Sequence, residues 1–107
     1  MNEITVVATA RAKPGMGDAL LDAMKSNVRP THDEAGCLHY SLHRSMADPD
    51  VVVVIERWAS EEALAQHAQA PHMATFRAKA ADLRAAPTDV QRYAMVPSDG
   101  QPAKMRF

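Results

Sequence analysis

The sequence predicts an α+β fold with the element order β-α-β-β-α-β. Four segments are rich in β-branched residues or alternate apolar with polar positions, as strands do. The stretches between them repeat apolar residues at helical spacing, and Pro, Gly or Asp stands at most of the joints. The chain has 107 residues, 47% apolar and 23% charged. That suits one domain with one core, and is too apolar for a disordered segment.

The first strand is Ile4 to Ala12, ITVVATARA, β-branched and partly alternating. Lys13, Pro14 and Gly15 form a turn that stops it. Met16 to Val28 follows as a helix, with Met16, Leu20, Ala23, Met24 and Val28 on one face and Asp18 early, where it suits the helix dipole. Pro30 is expected to end that helix within a residue or two. Cys37 to Arg44 alternates: Leu38, Tyr40 and Leu42 share one face, and Cys37, His39, Ser41 and His43 the other. Met46 to Asp50 is a turn, and Val51 to Trp58 is a central strand, apolar on both faces at first. Ser60 caps a short helix with Glu61 and Glu62 in its first turn. Pro71 opens another, which carries Met73, Phe76, Ala80 and Leu83 inward. Ala86 to Thr88 breaks it, and Asp89 to Val96 is the last strand.

Two β-α-β halves in this order give an antiparallel sheet with both helices on one face, the ferredoxin-like plan. The other face is open, yet Val51, Val53 and Ile55 oppose Val52 and Val54, and Ile4 and Val6 oppose Thr5 and Val7. An exposed apolar face of that size predicts a homodimer packed through it. Residues 1–96 are expected to form the domain. Residues 97–107, with two prolines and a glycine, form a tail, either loop or an arm that contacts a dimer partner.

The net charge is −1 and Lys and Arg are scattered, so no basic field points to nucleic acid or a membrane surface. No segment reaches the roughly 18 apolar residues that span a bilayer, and no secretory leader is visible. The one cysteine, Cys37, cannot form an internal disulfide and reads as an inert packed residue. A cytoplasmic location is expected. His39 and His43 share a strand face four residues apart, roughly 13 Å, too far to hold one metal. No cluster with metal-ligand spacing is evident, and no metal is expected.

The stretches ITVVA (Ile4 to Ala8), KPG, EAGCLHYSLHR (Glu34 to Arg44) and VIERWASEEALAQHAQAPHM (Val54 to Met73) resemble the antibiotic biosynthesis monooxygenase family. The last is the most specific: Glu-x-Trp, a short helix, a His, then a Pro-His-Met helix start. The resemblance covers about residues 3–96 and is greatest to the family's quinol monooxygenases. It implies a dimeric α+β barrel, and oxidation of a quinol-like or polycyclic phenolic substrate by O₂ without metal, flavin or haem. The haem-degrading branch of the family carries a Trp at the position of His67, a His at that of Arg77 and an Asn on the first strand. Their absence here argues against haem breakdown.

An oxygenase without a cofactor needs a base to make an electron-rich anion, an apolar pocket, and polar groups to hold the substrate oxygens. Histidine suits the first role, because its pKa lies near neutrality. His67, three residues after Leu64, and His72, four before Phe76, both face the space between helices and sheet, and either is the candidate base or substrate anchor. Trp58 is a core residue or a pocket wall, with Phe76 and Tyr40 as further lining. Tyr40 packs with Leu38 and Leu42, and its hydroxyl is a candidate partner for a substrate oxygen. Glu56, beside an apolar run, needs pairing, water or a shifted pKa; Arg57 points the other way, and an ion pair with some other residue is expected. Arg77 is either a solvated surface residue or a holder of an anionic or phenolate substrate. The alternative function is a small-molecule binding protein or isomerase on the same dimeric fold, without oxygen chemistry.

Overall fold

The structure, a computed structural model, describes residues 3–97. Its elements are β1 (Ile4–Arg11), α1 (Gly17–Lys25), α2 (Val28–His32), β2 (Cys37–Arg44), β3 (Val51–Trp58), α3 (Glu61–Gln69), α4 (Pro71–Ala80) and β4 (Asp89–Tyr93). The strands form one sheet in the order β2-β3-β1-β4, every neighbour antiparallel. This is the ferredoxin-like α+β plan that the sequence predicts.

Strand alternation builds the core. Val52, Val54, Glu56 and Trp58 of β3 are buried, as are Val6, Ala8 and Ala10 of β1. Leu20 and Met24 of α1 and Ala80 of α4 close over them. The alternate residues Val7, Val51, Val53 and Ile55 lie on the opposite, helix-free face and are half-buried. β4 is an edge strand, exposed along its length.

The turns are held by specific groups. Gly15 takes a left-handed φ of 80°, which costs glycine nothing. α1 has no side-chain cap of its own. Asp50, from the turn before β3, reaches across and accepts from the N–H of Gly15 (3.1 Å) and of Gly17 (3.0 Å). Ser60 caps α3 as expected, its hydroxyl accepting from the N–H of Ala63 at 3.0 Å. Pro71 takes the first position of α4, where its missing N–H is harmless.

Four expectations need correction. The helix from Met16 to Val28 is two helices. Pro30 in a continuous helix would clash with the Ser26 carbonyl. The chain breaks at Ser26 and Asn27, and Pro30 falls in the first turn of α2 instead. β2 is not a simple alternation: a bulge between Cys37 and His39 puts Cys37 opposite Trp58 on the core side and leaves Leu38 41% exposed. α4 ends at Ala80, so Leu83 packs on the core from the turn beyond it. β4 stops at Tyr93 rather than Val96. The expected tail at 97–107 lies outside the described residues except for Pro97. Among the described residues, no helix is long and apolar enough to cross a membrane.

Candidate active site

Between the sheet and the helices lies a cavity of about 210 Å³. Val6, Ala8, Ala10 and Val54 form its apolar floor, and Met24, Leu64, Met73 and Phe76 its walls. Tyr40, Glu56, Asn27, His67, Arg77, Arg84 and Thr88 supply its polar groups. The helices leave this space because the strand residues beneath them are small: two alanines and two valines of β1 and β3 face upward.

His67 is the central polar group, in contact with Trp58, Tyr40 and Glu34. It is buried in α3, its ring stacked on Trp58 with centroids 4.4 Å apart and planes tilted by 35°. The Tyr40 ring meets it edge-on at 5.9 Å. Its Nδ1 lies 2.7 Å from Oε2 of Glu34. A carboxylate only accepts, so Nδ1 carries the proton and Nε2 carries the lone pair. No hydrogen bond from a described residue occupies Nε2, and it is not a buried atom lacking a partner. Burial holds the His67 pKa below its ordinary value, opposed by the hydrogen bond and charge of Glu34. The ring is therefore oriented by a carboxylate, shifted toward its neutral form, and carries its lone pair on Nε2, in a residue that lines the cavity.

Glu34 comes from the turn between α2 and β2. Gly36 makes its position possible: a side chain there would run into the Cβ of Ala63 in α3. That close approach presses the turn against the helix that carries His67. Glu34 also lies 3.1 Å from Nε2 of His72, which in turn lies 3.2 Å from Oγ1 of Thr31. Thr31 donates to the Asn27 carbonyl at 2.7 Å, so its oxygen accepts from His72.

Glu56 faces the cavity from the middle of β3, directly opposite Tyr40 in the sheet. Trp58, two residues on and on the same face, donates from Nε1 to Oε1 of Glu56 at 2.8 Å. Burial raises the Glu56 pKa to about 7, against the pull of the Trp58 hydrogen bond and with a further push from Glu34. Burial, with the nearby Glu56 charge, raises the Tyr40 pKa to about 12, while Asn27 and Thr31 beside its hydroxyl work the other way. Tyr40 is thus a phenol donor throughout the physiological range, and Glu56 exchanges its proton near neutrality.

The antibiotic biosynthesis monooxygenase model matches residues 3–79. The chain belongs to the antibiotic biosynthesis monooxygenase family. It is 33% identical to a protein of Mycobacterium tuberculosis named putative monooxygenase Rv0793, over 81% of this chain and 85% of that one. It is 36% identical to the probable quinol monooxygenase YgiN of Escherichia coli, over 68% of this chain and 80% of that one. It spans 61% of an uncharacterized Synechocystis protein, sll1783, to which it is 27% identical. Among solved structures, PA3566 from Pseudomonas aeruginosa superposes with a TM-score of 0.85 at 29% identity, over 91% of this chain and 97% of that one. Membership of the antibiotic biosynthesis monooxygenase family supports a monooxygenase-type function on a small-molecule substrate.

Within this antibiotic biosynthesis monooxygenase domain, the residues expected at the site separate. His67, Tyr40, Glu56, Phe76 and Arg77 line the cavity. Trp58 does not: it is fully buried behind His67 and orients both that ring and Glu56. His72 also stands outside the main cavity and lines a smaller one with Asn27 and Phe76. The expected ion pair of Glu56 is absent among the described residues, its carboxyl being held by Trp58 instead. Arg77 is neither simply solvated nor free to swing, because its Nη2 donates to the Ala68 carbonyl at 2.6 Å. Sequence reasoning missed Glu34, Asn27, Arg84 and Thr88. It also missed that Glu34, His67 and His72 offer ligand atoms within 4.8 Å of one another, a spacing that could hold a metal ion. His39 and His43 come closer than their backbone spacing suggests, since the Nε2 of each lies 2.8 Å from Oγ of Ser41.

Proposed function

We propose that this chain is a homodimeric, cofactor-independent monooxygenase that oxidises a small quinol-like aromatic with O₂. The observation that carries the reading is the Glu34–His67 pair, 2.7 Å apart, presenting a bare Nε2 to an apolar cavity. The cavity also argues about size. An engineered apolar cavity of about 150 Å³ takes benzene, and drug-sized sites run from roughly 300 Å³. At about 210 Å³, one or two rings fit and a polycyclic phenol does not. One free cysteine without a disulfide fits a cytoplasmic setting.

In this scheme Nε2 of His67 accepts the hydroxyl proton of the quinol. The anion gives one electron to O₂, and the ring radical and superoxide combine into a C–O bond. Cleavage of the resulting peroxide O–O bond releases water, so a quinol and O₂ become a hydroxyquinone and water. Glu34 stabilises the imidazolium while it holds the proton. Tyr40 donates to a substrate oxygen, and Glu56, which exchanges a proton near pH 7, supplies one to the leaving oxygen. The mostly apolar lining favours this reading over a polar binding or isomerase site.

The test is oxygen uptake by metal-free protein on a panel of one-, two- and three-ring hydroquinones. Uptake above the spontaneous rate is expected for one- and two-ring members. His67→Ala should lower it by about 10² to 10⁴, the usual worth of a general base. Glu34→Gln, which keeps the shape but loses the charge, should lower it less. Uptake that survives His67→Ala unchanged would remove His67 from the mechanism.

A further inference from the structure

We infer that Glu34, His67 and His72 form a binding site for a borderline divalent transition-metal ion such as Zn²⁺, and that its occupation switches His67 off as a base. The inhibitory half rests on the function proposed above; the binding half does not.

Three elements that are remote in sequence bring the ligands together: the turn before β2, α3 and the start of α4. Two imidazoles and one carboxylate are the donor set of zinc-class ions, whereas Ca²⁺ and Mg²⁺ want oxygens alone. The carboxylate oxygen lies 2.7 Å from His67 Nδ1 and 3.1 Å from His72 Nε2. Tetrahedral ligands held about 2.0–2.2 Å from an ion stand about 3.4 Å apart, so the carboxylate oxygen moves off each nitrogen by less than an ångström to admit one, and the two nitrogens already lie within 4.8 Å of each other. The groups are also pre-placed. His67 is fixed by its stack on Trp58, and His72 gives up the 3.2 Å bond from its Nε2 to Thr31 Oγ1 when that nitrogen takes the ion. The side chains of Glu34 and His72 are 19% and 21% exposed, which gives an ion entry and a water access to the fourth position.

The position of the site decides what the ion does. Glu34 and His72 do not line the main cavity, so an ion among them sits behind the His67 ring and meets no substrate. It acts through the ring. Coordination at Nδ1 requires the lone pair there, and the neutral imidazole then carries its proton on Nε2. The nitrogen that faces the cavity changes from acceptor to donor. His72 shifts its own proton from Nε2 to Nδ1 in the same way, and no proton need leave the protein. The metal is thus an inhibitor by tautomer, without contact with the reacting atoms.

The experiment uses chelator-stripped protein. Zn²⁺ binding is followed by calorimetry, and Co²⁺ binding by the visible spectrum that reports its geometry. One saturable site is expected, with a tetrahedral Co²⁺ spectrum. His72→Ala, a partly exposed position at the start of α4, should weaken binding at least 100-fold with unchanged circular dichroism. The double variant His39→Ala/His43→Ala removes the other histidine cluster and should bind as the parent does. In oxygen uptake, Zn²⁺ should suppress the parent reversibly, while the residual activity of His72→Ala should become insensitive to it. No saturable binding, or binding lost in the His39/His43 variant and kept in His72→Ala, overturns the site. Binding as expected with uptake untouched by Zn²⁺ overturns the tautomer switch alone. If no substrate gives uptake at all, calorimetry and the Co²⁺ spectrum still decide the site.

Discussion

Glu56 is a carboxyl placed where an amide or an apolar group would cost less. Its folded pKa of about 7 stands above the 4.5 of an unperturbed glutamate. Between those values the folded protein holds a proton that the unfolded chain has released, so stability falls as pH rises from about 5 to about 7. The whole loss is on the order of 3 kcal/mol. Glu56→Gln keeps an oxygen for Trp58 and removes the charge, and should flatten that slope and raise stability at alkaline pH, read from denaturant unfolding across pH. If Glu56 supplies the proton proposed for it, oxygen uptake should fall in the same variant. Single residues were unevenly legible in the sequence. His67 was legible because it stands at helical spacing from Leu64, and Glu56 because a charge beside an apolar run is conspicuous. Glu34 was not, because it meets His67 across 33 positions and sits in a turn, where no periodicity says which way a side chain points.

Among the elements, α1 depends on a residue outside itself. Asp50 satisfies two backbone N–H groups at its start. Asp50→Ala should cost about 1–2 kcal/mol, like loss of a helix cap, and lower Tm by several degrees in a domain of this size. Asp50→Asn, which retains an accepting oxygen, should recover part of it. Strands were legible because period-2 alternation is a local signal, and Ser60 and Pro71 because cap chemistry is local too. The break at Ser26 and Asn27 follows from Pro30, but its position within the helix was set by packing. The bulge at Leu38 was invisible: one added residue moves Cys37 to the core side, and nothing in the alternation marks where it is inserted.

For the molecule as a whole, the fold class was the most legible property, since four strands and intervening helices in that order leave few topologies. The helix-free face was legible as well, from valines on both sides of β3. Val7, Val51, Val53 and Ile55 there are half-buried in the chain by itself, and we propose that a second copy covers them. Val53→Glu puts a charge near the middle of that face. It should convert the dimer to a folded monomer in light scattering, with circular dichroism unchanged. A monomeric parent would remove the dimer. The cavity could not be read beforehand, because its volume depends on how far α3 and α4 stand off the alanines of β1.

Trp58 is the chain's one tryptophan, and its indole lies against the His67 imidazole, centroids 4.4 Å apart and planes tilted by 35°. Imidazolium quenches indole emission more strongly than imidazole does. The fluorescence of the unlabelled protein is therefore a gauge of one ring, reporting its protonation and its coordination as they change, with no dye attached and no substrate turned over.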